Sequence, residues 1–119
     1  MQLSKLQSRG LSALPEFTLH PMAEADLDDI VYYTTVQWGE AQARRYSDEL
    51  LAAISSVAQG HSKGKSISAA LPSLKLVKAE HHVICVAQDS DGPVLVLAVL
   101  HERMDFMPRI RKRLRAIGV

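Results

Sequence analysis

The residues best suited to chemistry are histidine, lysine and arginine side chains at the ends of predicted strands. The stretch VLHERMD, residues 99–105, places His101, Glu102 and Arg103 directly after an uninterrupted apolar run. Imidazole transfers protons near neutral pH, and cationic side chains stabilise a developing phosphate charge. If the strands end at one edge of a sheet, His101 and Arg103 gather there with a second basic group: Lys75, Lys78, His81 and His82.

This polar cluster also has a purely structural interpretation. Arg103 can pair with Glu102, Asp105 or an acid of the helical hairpin, and exposed ion pairs of this kind are common and weak. A metal site is not predicted, because His101-Glu102 lacks the second histidine of a zinc-protease helix. His81 and His82 point to opposite faces of a strand and cannot share a metal in simple geometry. We therefore predict neither a metal nor a cofactor.

The composition is that of one soluble globular domain. The chain has 119 residues, of which 47% are apolar and 23% charged, and this length can bury a core without metal or disulfide support. Its single cysteine, Cys85, excludes an intramolecular disulfide and favours a reducing compartment. The longest apolar run is shorter than the ~20 residues of a membrane helix, and the N-terminus lacks the apolar core of a signal peptide. We expect a cytoplasmic protein without membrane contact.

The net charge of +1 conceals an asymmetry along the chain. Acidic residues outnumber basic ones between positions 23 and 60, whereas basic residues outnumber acidic ones from position 101 onward. Such a division favours recognition of a partner over bulk nucleic-acid binding. Mutual neutralisation of the two regions within the fold is an equally compatible interpretation.

The first half of the chain predicts a strand followed by a helical hairpin. FTLH, residues 17–20, alternates as a short strand, and Pro21 suits the first position of a helix. Apolar residues recur at helical spacing over residues 23–38 and again over residues 40–59. Gly39 separates the two stretches, and the resulting antiparallel helices need a flat surface to cover.

The second half predicts three antiparallel strands and a final helix. A loop rich in Gly, Ser, Lys and Pro over residues 60–73 precedes strands at 74–77, 82–88 and 93–100. The last strand is apolar on both faces, which predicts a central position in the sheet. From Phe106 onward the apolar spacing is helical again. The basic residues of this helix are expected to face water: Arg109, Lys112, Arg113 and Arg115.

The order of these elements predicts an α+β fold. An N-terminal strand and a helical hairpin pack on an antiparallel β-sheet in the order β-α-α-β-β-β, and a basic helix follows at the C-terminus. We expect two layers, with the hairpin on one face of the sheet. Residues 17–119 form a single domain in this prediction, and residues 1–16 form an extension that is either flexible or helical.

Three stretches of the chain resemble the ParE/RelE superfamily of bacterial type II toxins, and more closely its ParE branch. Residues 23–50, AEADLDDIVYYTTVQWGEAQARRYSDEL, look like the characteristic helical hairpin of that family. Residues 71–86, LPSLKLVKAEHHVICV, are similar to its loop and following strands. VLHERMD resembles the strand end that carries the usual His-x-Arg of the family. The resemblance covers residues 17–105.

The resemblance implies a toxin that a cognate antitoxin holds inactive in a hetero-oligomer. ParE-type toxins poison DNA gyrase, and RelE-type relatives cleave messenger RNA on the ribosome. Under the ParE interpretation no catalytic group is required, and DNA is reached only indirectly, through gyrase. The residues assigned to target binding are His101, Arg103, Arg109, Lys112 and Arg113.

The alternative of RNA cleavage requires a base, cations and an acid near the scissile phosphate. In this chain those roles would fall to Lys75, Lys78, His101 and Arg103. An aromatic partner for this cluster is missing, because every tyrosine lies in the helical hairpin and the third predicted strand reads VICVAQ. We therefore favour gyrase binding and keep messenger RNA cleavage as the alternative.

For antitoxin binding the candidate residues are Leu27, Ile30, Trp38 and Lys75. Trp38 has a competing interpretation as a cap over the core at the end of its helix. A further alternative is a chain that keeps the fold and antitoxin binding but has lost toxicity. Its basis is a third strand that is unusual for the family and an extension that precedes the resemblance.

Overall fold

The computed structural model describes residues 17–89 and 92–118. Their elements are, in order, β1 (Phe17–Leu19), α1 (Pro21–Trp38), α2 (Glu40–Ala58), β2 (Lys65–Ser66), β3 (Leu74–Ala79), β4 (His82–Ala87), β5 (Val94–His101) and α3 (Phe106–Ile117). The predicted α+β order is confirmed, and β2 is an addition within the predicted loop. The predicted extension, residues 1–16, lies outside the described residues.

The helical hairpin is defined at its start and at its turn. His20 accepts a hydrogen bond at Nδ1 from the backbone N–H of Met22, at 3.1 Å, and Pro21 follows as the first residue of α1. Gly39 lies between the helices with φ +92°, a conformation that glycine adopts without the strain of a Cβ. Within the described residues, no helix has the length and apolar content needed to cross a membrane.

The strands form one sheet in the order β1-β5-β4-β3-β2. β3, β4 and β5 pair antiparallel as predicted, whereas β1 joins the other side of β5 in parallel, with Phe17 opposite Val94. The first half of β5 is therefore flanked on both sides, in agreement with its predicted central position. The pairing of β4 with β5 shifts register between Cys85 and Val86. Cys85 lies opposite Ala98 and Val86 lies opposite Val96, so Leu97 of β5 has no partner on β4.

A glycine permits β2 to approach β3. Lys65 and Ser66 pair antiparallel with Leu76 and Lys75. At Gly64 a Cβ atom would lie 2.8 Å from the carbonyl oxygen of Leu76, and φ is +68°. Any other residue would push the two strands apart, so this short edge strand depends on glycine at position 64.

Apolar residues line both faces of the sheet, and this differs from the predicted two layers. One face packs against the hairpin through a core that includes Leu27, Leu50, Ile54, Val57, Ile84, Val86 and Val99. The opposite face packs against α3 through Cys85, Leu97, Leu100, Ile110 and Leu114. The expectation of two layers is therefore wrong. The fold has three, because β4 and β5 are apolar on both sides and each side is covered.

An ion pair covers the part of β5 that β1 leaves unpaired. β1 ends at Leu19, and the backbone N–H of His20 still donates to the carbonyl of Val96 at 2.9 Å. Beyond Val96, side chains bond to the backbone of β5 on the edge that faces away from β4. The N–H of Val99 donates to the carboxylate of Asp26 at 2.9 Å, and Arg113 donates to the carbonyl of Leu97 at 3.2 Å. Arg113 also holds both carboxylate oxygens of Asp26, at 2.5 and 2.8 Å. We refer to Asp26 and Arg113 as the edge clamp.

The edge clamp corrects the prediction that Arg113 faces water. The side chain of Arg113 is 19% exposed and that of Asp26 is 14% exposed, because α1 and α3 pack on opposite faces and meet at the edge of β5. The pair joins an acidic residue of the hairpin to a basic residue of the last helix. It therefore supports, for these two residues, the interpretation that the two charged regions neutralise each other.

Replacing Asp26 with asparagine should lower the free energy of unfolding by about 3 kcal/mol, because Arg113 keeps its charge in a largely enclosed position without a counter-ion. Unfolding in urea measures the effect. Asp28→Asn, at an exposed position of the same helix, is the matched control and should change stability by less than about 0.5 kcal/mol. Equal stability of the two variants would show that the clamp is not structural.

Candidate functional site

A cleft of about 750 Å³ opens beside the edge clamp. Its walls come from α1 and α2, the start of β4, the end of β5 and the first turns of α3. The residues that line it include Ile30, Tyr33, Trp38, Tyr46, His82, His101 and Arg109. The polar strand end predicted from the sequence therefore borders a concave surface.

Tyr46 reaches this cleft from α2 and contacts the start of β4. Its hydroxyl oxygen lies 2.6 Å from Nδ1 of His82 and accepts a hydrogen bond from the backbone N–H of His81 at 3.1 Å. The rings of Tyr46 and His82 meet edge to face, with centroids 5.5 Å apart. Burial raises the pKa of the Tyr46 phenol, so the hydroxyl keeps its proton at neutral pH.

His82 is held in its neutral form. Burial, followed by the charges of His101 and His81, lowers the pKa of His82 to about 4. The Tyr46 oxygen already accepts a hydrogen bond from the backbone N–H of His81, so its own O–H can donate to Nδ1 of His82. This arrangement satisfies all three groups and leaves the proton of His82 on Nε2.

At the rim of the cleft, the carboxylate of Glu102 contacts two basic side chains. Its carboxylate lies 2.9 Å from Nδ1 of His81 and 3.0 Å from Nζ of Lys78. Hydrogen bonds from His81 and Lys78 lower the pKa of Glu102 to about 2. His81 in turn stacks on His101, with ring centroids 6.5 Å apart. Lys78, one of the predicted catalytic cations, is therefore engaged in an ion pair.

Arg103 differs from Lys78 in having no such partner. Its backbone N–H donates to Nδ1 of His101 at 3.1 Å, which orients the imidazole. In the part of the chain that the structure describes, Glu102 pairs with Lys78 and His81, and Arg103 forms no ion pair. The interpretation in which Arg103 pairs with Glu102 is therefore wrong. The exposed guanidinium remains available to another molecule.

The residues predicted to bind an antitoxin divide between the core and the surface. Leu27 is fully buried between α1 and the sheet, so its assignment is wrong because no partner can contact it. Ile30 and Trp38 line the cleft. Trp38 is 73% exposed, which contradicts its interpretation as a cap over the core. Lys75 lies on β3 opposite Val86 and does not line the cleft.

The predicted catalytic residues are not assembled as one unit. His101 and Lys78 both lie near Glu102 and His81, but Lys75 is three residues from Lys78 along β3, roughly 10 Å away. The predicted absence of an aromatic partner is also wrong, because α2 brings Tyr46 to the histidines. The signal was the place of Tyr46 on the apolar stripe of its helix, since a tyrosine facing the sheet needs a polar partner for its hydroxyl.

The basic helix α3 contributes in two different ways. Arg109 and Lys112 are exposed, as predicted, and Arg109 also lines the cleft. Arg113 belongs to the edge clamp instead. Among residues 17–89 and 92–118, no three His, Cys, Asp or Glu side chains are grouped to hold a metal ion.

Comparison of the sequence with known proteins places the chain in a family. Residues 17–106 match the family described as the ParE toxin of the type II toxin–antitoxin system parDE. Toxin ParE of Escherichia coli is 41% identical over 99 residues, which cover 83% of this chain and 96% of that protein. The chain belongs to the ParE toxin family. Toxin ParE1 of Mycobacterium tuberculosis is 33% identical over 89 residues, covering 75% of this chain and 91% of that protein.

A solved structure supports the ParE fold. The structure described as a chromosomal ParDE TA system from P. aeruginosa superposes with a TM-score of 0.59, covering 74% of this chain and 96% of its own. The two sequences are 16% identical, so the likeness concerns the fold alone. The ParE family match ends at residue 106. Most of α3, including Arg113 of the edge clamp, lies beyond the matched residues.

His82 should make the stability of this ParE protein depend on pH. The unfolded chain protonates His82 near pH 6.5, whereas the folded chain does so only at about pH 4. The unfolded state therefore binds more protons between these values, and stability falls as the pH is lowered through this window. Between pH 7 and pH 4.5, His82→Asn should lose roughly 2 kcal/mol less than the parent protein. Urea unfolding at both pH values measures the difference.

Asparagine keeps an acceptor for Tyr46 but cannot be protonated. His61→Asn, in the exposed loop after α2, is the control and should lose stability as the parent does. If His82→Asn and the parent show the same loss, His82 is not held neutral.

Proposed function

We propose that this ParE protein acts in the cytoplasm by binding and poisoning DNA gyrase, and that a cognate antitoxin neutralises it in a hetero-oligomer. Membership of the ParE family supports the toxin role. The observation that carries the proposal is the exposed guanidinium of Arg103 at the end of β5, which forms no ion pair with the described residues. Poisoning by binding needs a complementary surface and no reacting group, and a few arginine anchors can dominate such an interface.

The proposed gyrase-binding surface combines the end of β5 with the exposed side of α3. It comprises His101, Arg103, Arg109 and Lys112, and Arg113 is omitted because the edge clamp engages it. A cationic surface suits an acidic partner and also the phosphates of DNA held by gyrase. DNA contact is therefore proposed through the gyrase complex and not with free DNA.

Arg103→Ala should weaken inhibition of gyrase supercoiling by at least tenfold, the effect of losing an interface anchor worth about 2 kcal/mol. The concentration of purified protein that halves supercoiling measures this change. Arg44→Ala, an exposed arginine of α2 outside the proposed surface, is the control for charge and should inhibit like the parent. Full potency of Arg103→Ala would refute this surface, and a parent protein without any effect on supercoiling would refute the gyrase proposal.

The proposed antitoxin surface is the cleft together with the exposed apolar side chains on the last turns of α1. Tyr32, Tyr33, Val36 and Trp38 are between 62% and 73% exposed, and clustered exposed apolar side chains mark sites of protein interaction. Ile30 and Trp38 extend this apolar surface into the cleft. A partner that covers both would remove the patch from water. For Lys75 the assignment to antitoxin binding stays a prediction.

Trp38→Ala should reduce affinity for the antitoxin by about 10- to 100-fold, as expected for a tryptophan anchor worth roughly 2 kcal/mol. The antitoxin is expected in the adjacent reading frame, and calorimetric titration of the two purified proteins gives the affinity. Gln37→Ala, exposed on the same turn, is the control and should bind like the parent. Both substitutions should leave the melting temperature nearly unchanged, so unaltered affinity of Trp38→Ala would remove this residue from the interface.

Ribosome-dependent cleavage of messenger RNA is a second candidate function. The observation that favours it is the contact of Tyr46 with His82, beside His101, because these groups could transfer protons. Translating ribosomes incubated with the protein distinguish the two functions. Cut messenger that disappears with Tyr46→Phe would favour cleavage, and intact messenger would exclude it. Normal growth during expression without antitoxin would instead indicate a non-toxic, antitoxin-binding homologue.

A further inference from the structure

Two imidazole rings in the cleft have their proton positions set by neighbours. The hydroxyl of Tyr46 lies 2.6 Å from Nδ1 of His82, and the backbone N–H of Arg103 donates to Nδ1 of His101 at 3.1 Å. A ring nitrogen that accepts a hydrogen bond carries no proton, so each neutral ring carries its proton on Nε2. The two rings are adjacent, with centroids 5.1 Å apart and planes at 77°.

These two Nε2–H groups have no acceptor within the described chain. Hydrogen bonds of His82 and His101 side chains there involve Nδ1 alone. Every buried side-chain nitrogen or oxygen of the described residues has a hydrogen-bond partner. Both Nε2 atoms must therefore be reached by solvent, and both rings line the cleft. The cleft thus offers a pair of adjacent donors that await an acceptor.

We propose that the Nε2–H groups of His82 and His101 bind a carboxylate, supplied by an aspartate or glutamate of the antitoxin. The identity of the carrier rests on the proposed function, whereas the donor pair does not. A carboxylate has two oxygens and can accept from both rings, and hydrogen bonds to a charged acceptor are about twice as strong as neutral ones. Arg109, on the same cleft, adds a positive charge.

The charged groups around the donor pair largely cancel one another. Arg113 pairs with Asp26, and Lys78 with His81 pairs with Glu102. Among the charged residues that line the described cleft, Arg109 and Asp29 remain outside these pairs, and their opposite charges cancel. The lining therefore carries no excess of negative charge that would repel a carboxylate.

The protonation of His82 distinguishes a carboxylate from a phosphate. Burial lowers its pKa to about 4, so at pH 7 His82 offers an N–H dipole and no positive charge. A phosphate dianion requires stronger cationic compensation than these groups provide. A carboxylate has one acceptor oxygen for each donor, and its single charge needs less cationic compensation than a phosphate dianion.

Titration of the full chain with sodium acetate at pH 7, followed by NMR of the imidazole Cε1–H groups, tests the proposal. We expect saturable shifts of the His82 and His101 resonances at millimolar acetate, at least fivefold larger than those of His61, an exposed loop histidine. Acetamide has the same shape without the charge and should give less than a fifth of the response.

Substitution of His101 separates donor chemistry from ring shape. His101→Gln keeps an N–H donor near the position of Nε2 and should retain the acetate response of His82. His101→Phe keeps a planar ring without a donor and should reduce that response at least fivefold. Equal responses of the two variants would overturn the paired-donor site even if one of them were less stable, because the comparison is made on folded protein.

Three further outcomes decide the chemistry. Shifts that match those of His61, or equal shifts with acetamide, would overturn the site. Inorganic phosphate acting at lower concentration than acetate would overturn the carboxylate assignment. In the complex with the antitoxin the acetate response should vanish, and a persistent response would exclude the antitoxin as the source. The free-chain titration uses neither gyrase nor antitoxin, so its failure would leave the proposed toxin function intact.

Discussion

The edge of β5 is the constraint on which the rest of the fold depends. β5 runs from Val94 to His101, but β1 pairs only with Val94 to Val96. An unsatisfied backbone group in an enclosed position costs about 1–3 kcal/mol, and an open strand edge can recruit other chains. The edge clamp satisfies these backbone groups and covers the open edge. Asp26 accepts a hydrogen bond from the N–H of Val99, and Arg113 donates one to the carbonyl of Leu97. It ties α1 and α3, from opposite faces, to the same strand.

Because β1 is shorter than β5, it leaves space beside the second half of β5, and the candidate site lies there. Among the described residues, β1 pairs with β5 only as far as Val96, so α1 borders the second half of β5 and its last turns form one wall of the cleft. α2 crosses the start of β4 and places Tyr46 on His82. The strand ends thus supply the histidines and the helices supply aromatic surface. The candidate site and the protection of the strand edge are therefore two consequences of one topological feature.

Local patterns predicted the elements, and long-range packing decided the site. Helical periodicity located α1, α2 and α3, but a stripe of apolar residues does not tell which face of the sheet it covers. The two-sided apolar character of β5 was the available sign of a third layer. Arg113 bonds a residue 87 positions away and Tyr46 one 36 positions away. Neither contact leaves a local signal beyond a polar group on a helix. The exposed fraction of Trp38 depends on where the sheet ends beneath α1. The spacing of apolar residues within α1 carries no information about that position.

The polar floor of the cleft explains why the chain leaves this space open to a partner. An apolar residue in place of His82 would fill the core equally well, but it would leave the Tyr46 hydroxyl without its acceptor. Once the imidazole is retained, its Nε2–H needs water or an acceptor from another molecule, and so does that of His101. Apolar area from Trp38 and Ile30 can then provide affinity, while the donors penalise any partner that buries them without an acceptor. In the proposed interface, an aromatic rim above a pair of oriented donors would therefore select a partner segment by its chemistry as well as its shape.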